Sequence, residues 1–281
     1  TPEDWRGFCD SNVLLAKSEK YVFGADEKPA IEIILSSYGK DKINSGAVRY
    51  SLRSDELDIN GSVEFNSSDA RLTSVGTFTP DFSAITKPQK AVLTLTFGKY
   101  HNGYVFWLYP QTDVEITENC IKTADDELIF ADSVEKAKEL ITSGKKAMVI
   151  TDGSNAIENA YCADFWNYHM FRVISESMNK PVAPGTMGLL IDKNDKLLSA
   201  FPSEKFTTPQ WYEAVTHSKA DILDDNPEII PIVQVVDNTE RCHRLGMLYK
   251  KNGVLHCSIR LWEAADCPEI RQLAKSITEN F

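Results

Sequence analysis

The chain has 281 residues, a net charge of −11, 42% hydrophobic and 25% charged residues. That is the length of two ordinary domains and the composition of a water-soluble globular protein. The acidic balance, with a sequence pI of about 5.0, argues against nucleic acid and anionic membrane surfaces as partners.

In chain order, the first 110 or so residues show short β runs and almost no helical periodicity. The runs are Lys20–Phe23, Ala30–Ser36, Ala47–Ser51, Ser62–Phe65, Val75–Phe78, Ala91–Phe97 and Tyr104–Tyr109. Turn signals separate them, among them Gly24-Ala25-Asp26, Asn60-Gly61, Pro80-Asp81 and His101-Asn102-Gly103. Seven short strands at this spacing predict an immunoglobulin-like β-sandwich over residues 1–112, without the Cys…Trp…Cys spacing of antibody domains. Residues 111–127 are polar and acidic and read as a linker.

Over residues 113–281 strands and helices alternate. A strand at Leu128–Ala131 leads to a helix opened by Asp132 with Glu135 and closed by Gly144. Lys146–Thr151 and Thr186–Asp192 read as strands. Thr208-Pro209 opens a helix through His217, and Pro268 opens the last, with Ile270, Leu273, Ala274 and Ile277 on one face. This alternation predicts an α/β domain with a largely parallel sheet. Near its end, Ile229–Val236, Leu245–Tyr249 and Val254–Ile259 are β runs, the last two joined by the hairpin signal Lys251-Asn252-Gly253.

Between the first two of these runs lies a dense polar knot, Asp237-Asn238-Thr239-Glu240-Arg241, followed by His243. Asp237, Glu240, Arg241 and His243 can form an acid/base cluster, or a salt-bridged knot that shapes a strand connection. With no second carboxylate partner or oxyanion donors, the structural role is favoured, through an Arg241 pair with Asp237 or Glu240. Cys162 is the candidate nucleophile, with His169, His217 or His243 as base. No glycine-flanked elbow surrounds it, so packing is the favoured reading. Cys257, inside a β run, reads as a packed thiol. The six cysteines include no Cys-x-x-Cys pair, and no spacing of metal ligands is present. Trp166, Tyr168 and Trp211 belong to aromatic stretches able to stack on sugar rings or line an interface, although such stretches are more often core. Asp192, Asn194 and Asp195 lack the glycine and distal glutamate of a calcium loop and read as a turn. No cofactor is called for. The chain starts Thr1-Pro2-Glu3 with no targeting segment, which reads as a processed protein or an excised fragment.

Several stretches together carry a resemblance. Trp5-Arg6-Gly7-Phe8-Cys9 leads to Leu14-Leu15-Ala16, and Phe106-Trp107-Leu108-Tyr109-Pro110 closes the β-rich half. Phe165-Trp166-Asn167, Thr186-Met187-Gly188-Leu189-Leu190, Phe201-Pro202-Ser203-Glu204, Gln210-Trp211 and Pro231 through Arg241 follow in order. The series is similar to the C-terminal, non-catalytic region of Bacteroidetes-type glycoside hydrolase family 2 enzymes, the β-galactosidase-like group. The resemblance implies that the second domain is like class I glutamine amidotransferases, with a flavodoxin-like fold but no nucleophile. It also implies an accessory, architectural role beside a catalytic barrel or another subunit, and a periplasmic or cell-surface location within a secreted enzyme. The family's catalytic glutamates lie on a (β/α)₈ barrel of roughly 250 residues, for which this chain has no room. No catalytic residue is therefore carried over. A carbohydrate-binding module and an independent thiol hydrolase using Cys162 are the alternatives.

Overall fold

The computed structural model describes residues 1–40, 43–66, 71–161, 169–180 and 185–281. It is mostly β-sheet. The backbone divides into two units, Thr1–Gln111 and Thr112–Phe281.

The first unit opens with helix α1 (Pro2–Phe8) and continues as strands β1 (Asn12–Lys17), β2 (Val22–Gly24), β3 (Ile31–Ser37), β4 (Ser45–Arg53), β5 (Asp58–Asn66), β6 (Leu72–Phe78), β7 (Gln89–Phe97) and β8 (Tyr100–Tyr109). They form two sheets, ordered β1-β3-β6 and β2-β8-β7-β4-β5. All pairings are antiparallel except β2 beside β8. Period-two alternation sends Ile31, Ile33 and Leu35 from one sheet and Leu93 and Leu95 from the other into a shared core with Val48, Leu52 and Phe106. Fully burying each such side chain contributes about 1.5–3 kcal/mol, which is what clamps the sheets face to face.

Two local readings change. Strand β1 carries no alternation signal, because Asn12, Val13 and Leu14 are all buried. Asn60-Gly61 is not a turn. Strand β5 runs through it, and the chain reverses instead at Ser54–Leu57, where Ser54 N–H donates to the Leu57 carbonyl at 3.0 Å. Gly61 pairs with Tyr50, and a Cβ there would collide with the Tyr50 phenol. The glycine makes room for a cross-strand ring.

The second unit contains β9 (Glu115–Ile116), β10 (Cys120–Lys122), β11 (Glu127–Ala131), α2 (Val134–Thr142), β12 (Lys146–Ile150), β13 (Ala156–Glu158), α3 (His169–Ser177), β14 (Gly188–Ile191), α4 (Tyr212–Thr216), β15 (Lys219–Ile222), β16 (Val233–Val236), β17 (Arg244–Lys251), β18 (Val254–Cys257) and α5 (Pro268–Asn280). Its sheet runs β13-β15-β17-β18-β12-β11-β10-β9, with β16 also on β17 and β14 on β16. Only β11, β12 and β18 are mutually parallel. The expected largely parallel sheet is therefore a mixed one. A parallel neighbour needs a crossover of a dozen or more residues, and the short links before and after β17 do not allow one. The β17–β18 link is the two-residue turn Asn252-Gly253, with φ of 52° and 78°.

The segment expected as a linker, residues 111–127, supplies the edge strand β9 and its neighbour β10, held by fully buried Ile121. Helix α2 is capped by Ser133, whose hydroxyl accepts from Lys136 N–H at 3.3 Å, one residue later than the Asp132 start expected.

Candidate functional site

The polar knot forms the connection from β16 to β17. Asp237 immediately follows β16, and its side chain is 1% exposed. Its Oδ1 accepts from Arg241 Nε at 3.0 Å, Arg241 Nη2 at 2.6 Å and Asn238 N–H at 2.8 Å. Its Oδ2 accepts from His243 N–H at 3.0 Å. Asn238 Oδ1 takes the N–H groups of Glu240 and Arg241, at 3.2 and 2.9 Å. The chain escapes through Cys242 in a left-handed conformation, φ 56°. A carboxylate accepting this many donors is occupied as a staple.

The His243 imidazole turns away from the knot. Its Nδ1 lies 2.6 Å from Asp224 Oδ2, while Asp224 Oδ1 accepts from Arg244 N–H at 2.7 Å. The His243 bond, then the Arg244 amide, hold the Asp224 carboxyl below its usual range. Glu240 is exposed at the tip of the connection. The four knot residues thus share one loop, and the His243 ring is aimed elsewhere.

Trp211 is fully buried. Its Nε1 donates to Ser203 Oγ at 3.0 Å and its ring meets Phe201 edge-on at 5.2 Å. It has no face to offer a sugar, which corrects its reading as a sugar or interface contact. A ring of that size beside Phe201 buries too much apolar surface to be left out of the core. Trp166, Tyr168 and Cys162 lie outside the described residues, as does the His169 side chain. Cys257 is a core thiol, pushed up to about 12 by burial, with Sγ 3.7 Å from the Ile259 carbonyl. Asp192 accepts from Asn194 N–H at 3.2 Å, and Asp195 caps a 3-10 turn by accepting from Leu197 N–H at 2.9 Å. Among the described residues, no three His, Cys, Asp or Glu converge as metal ligands.

Two arrangements had no sequence signal. The first is a buried polar cluster on β15, β17 and β18. Asp221 pairs with Gly246, and Tyr249 with His256. The register shifts opposite Val233 and Gln234, leaving Met247 as an extra residue on β17. That bulge brings Gly246 and Tyr249 to one face. A Cβ on Gly246 would meet Leu223 Cδ1 at 2.8 Å and Tyr249 Cδ1 at 2.9 Å. Glycine therefore frees the space through which the Tyr249 hydroxyl reaches Asp221 Oδ2, at 3.3 Å. Burial, opposed by the Thr151 and then the Tyr249 bond, pushes the Asp221 carboxyl up to about 6. The Tyr249 and His256 rings stack at 5.1 Å and 10°. Burial brings His256 down to about 4, and its Nε2 has no partner.

The second is a polar cleft of about 170 Å³. Thr151 and Gly153 reach it from the end of β12, Ser258 and Arg260 from the end of β18, and His217 and Lys219 from the α4–β15 link. It thus opens at the carboxyl ends of two adjacent parallel strands, where α/β sheets usually place ligands. His217 Nδ1 is 3.1 Å from Glu263 Oε2 and Nε2 is 3.3 Å from Glu213 Oε2. Arg260 reaches Glu263 Oε1 at 3.3 Å, and Lys219 reaches Glu158 at 2.9 Å. The arrangement offers paired charges and hydroxyl groups, and none of its described residues is a nucleophile hydrogen-bonded to a base.

Residues 27–110 match a domain of unknown function, DUF8488, and residues 128–280 match a second domain of unknown function, DUF8487. No curated protein matches the chain. The second match covers more than half of the 281 residues and nearly all of the unit that holds the knot, the buried cluster and the cleft. By that extent, the chain belongs to the DUF8487 family.

Proposed function

We propose that this chain is a non-catalytic accessory region of a β-galactosidase-like glycoside hydrolase of family 2, packing against a catalytic module or another subunit. The first unit is read as immunoglobulin-like. Its two antiparallel sheets, with β2 crossing over to run parallel to β8, support that reading. The second is read as amidotransferase-like, supported by the β11–α2–β12 crossover unit and its parallel neighbour β18. The reading carries with it a periplasmic or cell-surface location.

The observation that carries the packing role is an apolar pair on the outside of β14. Leu190 bridges antiparallel to Phe206, and the two are 52% and 60% exposed. Residues directly opposite in such a bridge share a face, so the side chains form one patch. Ile230, 83% exposed, and Val173, Ile174 and Met178 on and after α3 add apolar surface to the same unit. Contiguous exposed apolar surface marks an interaction site.

Of the candidate bases for a Cys162 hydrolase, His217 has both ring nitrogens beside carboxylates. His243 is bonded to Asp224 through Nδ1 alone, an arrangement that can also orient a catalytic imidazole, so the thiol-hydrolase alternative is decided by the test below. The test is expression of the full reading frame that carries this chain. Hydrolysis of chromogenic galactosides should require an additional barrel module and be absent from residues 1–281 alone. Leu190→Ser with Phe206→Ser should lower the melting temperature of the full-length enzyme more than that of residues 1–281. Turnover by residues 1–281 that disappears in Cys162→Ala would overturn the reading.

A further inference from the structure

We propose that the polar cleft at the ends of β12 and β18 is a binding subsite for one neutral, polyhydroxylated ligand of monosaccharide size. Four observations lead there.

The first is volume. About 170 Å³ falls below the roughly 300–1,000 Å³ of clefts that take drug-sized ligands. A single small ring is the size of group that such a volume encloses.

The second is charge. The cations at the cleft are already answered, Lys219 by Glu158 and Arg260 by Glu263, and both His217 ring nitrogens lie beside carboxylates, of Glu263 and Glu213. An anion would have to break these pairs, and a metal ion would compete with them. A neutral hydroxyl does neither. It can donate to a carboxylate oxygen and accept from an ammonium or guanidinium N–H at once, and adjacent hydroxyls can do so in pairs.

The third is lining. Apart from Gly153, the residues around the cleft carry a charge, a hydroxyl or, at His217, an imidazole, with no Phe, Tyr or Trp among them. The Thr151 hydroxyl, at the end of β12, is closed off from solvent beside the Asp221 carboxyl. Such a surface suits a ligand that is polar all round.

The fourth is rigidity. Arg260 N–H donates to the His217 carbonyl at 2.8 Å, and Ser218 bridges Ile259. Asn159 Nδ2 donates to Ser218 Oγ at 3.2 Å. The two walls that carry the cations are therefore tied together before any ligand arrives, which lowers the ordering cost of binding.

This inference stands apart from the packing role. A full reading frame without a barrel would end the accessory reading and leave the cleft proposal intact.

The experiment is saturation-transfer NMR on residues 1–281 with D-galactose, D-glucose and D-mannose. D-glucuronate serves as a charged comparator and glycerol as a minimal polyol. The expected result is transfer to at least one neutral hexose, with a Kd of about 1–10 mM. That affinity should weaken about tenfold or more in Glu263→Gln. Glu263 also holds His217 and Arg260, so its loss can disturb the fold. Lys219→Gln is the second variant, because Lys219 is 44% exposed and its Glu158 partner 66% exposed. It should keep the melting temperature and still weaken the same hexose. No transfer to any neutral hexose, transfer to D-glucuronate alone, or hexose binding unchanged in Lys219→Gln would each overturn the proposal.

Discussion

Single residues in the second unit set its response to pH. Asp221 has its carboxyl raised from 3.8 to about 6 by burial. The folded protein therefore holds that proton where the unfolded chain has lost it. Its contribution is most favourable below about pH 4 and is lost as pH rises through about 6. His256 runs the other way, from 6.5 down to about 4. Its contribution is full above about pH 6.5 and is lost as pH falls through about 4. Between pH 4 and 6 the two slopes oppose each other. Asp221→Asn should then add about 2 kcal/mol at pH 7, where the buried anion is most costly, and nothing below pH 4. It should also expose the His256 slope, so that the variant loses stability steeply on acidification from pH 6.5. Urea midpoints measured across pH 4–8 give the answer. A variant whose curve is parallel to the wild type would show that Asp221 titrates normally. The knot is the other residue-scale device. Arg241→Ala leaves the nearly buried Asp237 with two backbone donors and no cation. Because Arg241 is itself 26% exposed, the expected loss is about 2–3 kcal/mol, below the full cost of stranding a buried charge. Binding of a hexose at the cleft should be unchanged.

At the scale of elements, the β17–β18 hairpin carries a separable prediction. A Cβ on Gly253 would meet nothing within 4 Å, yet its φ is 78°. Any penalty for Gly253→Ala is therefore backbone strain alone, about 1–2 kcal/mol. Gly246→Ala has the opposite cause, since its Cβ would press on Leu223 and Tyr249. It should cost as much or more, about 1–3 kcal/mol from overpacking, and should weaken the Tyr249–Asp221 bond. Denaturant midpoints separate the two when each glycine is also changed in a Tyr249→Phe background. The Gly246 penalty should shift there and the Gly253 penalty should stay the same.

At the scale of the whole molecule, the first unit draws its core from Leu14 to Leu108, within its own boundary. A domain with its own core can fold alone. Residues 1–111 expressed by themselves should unfold in one cooperative transition, read by near-ultraviolet dichroism and by fluorescence at the same midpoint. Non-coincident transitions, or a spectrum without near-ultraviolet signal, would mean that the sandwich needs residues beyond 111.

Period-two runs such as Ile31-Ile33-Leu35, the Asn252-Gly253 turn and the apolar face of α5 were legible in the sequence, because each depends on neighbours a few residues away. So was the Asp237–Arg241 pair, four residues apart and able to close on itself. The mixed sheet was not legible. Alternating helices and strands do not say which strands become neighbours, and among the described residues of that sheet only β11, β12 and β18 found parallel partners. Whether Trp211 joined the core or kept a free face was decided only where the fold wrapped Phe201 and Ser203 around it. The buried cluster depends on a bulge at Met247 that brings two strand faces into line. The cleft gathers residues from 151 to 263 at the ends of two strands. Both are set by register and pairing over long separations, and a linear chain carries no local mark of either.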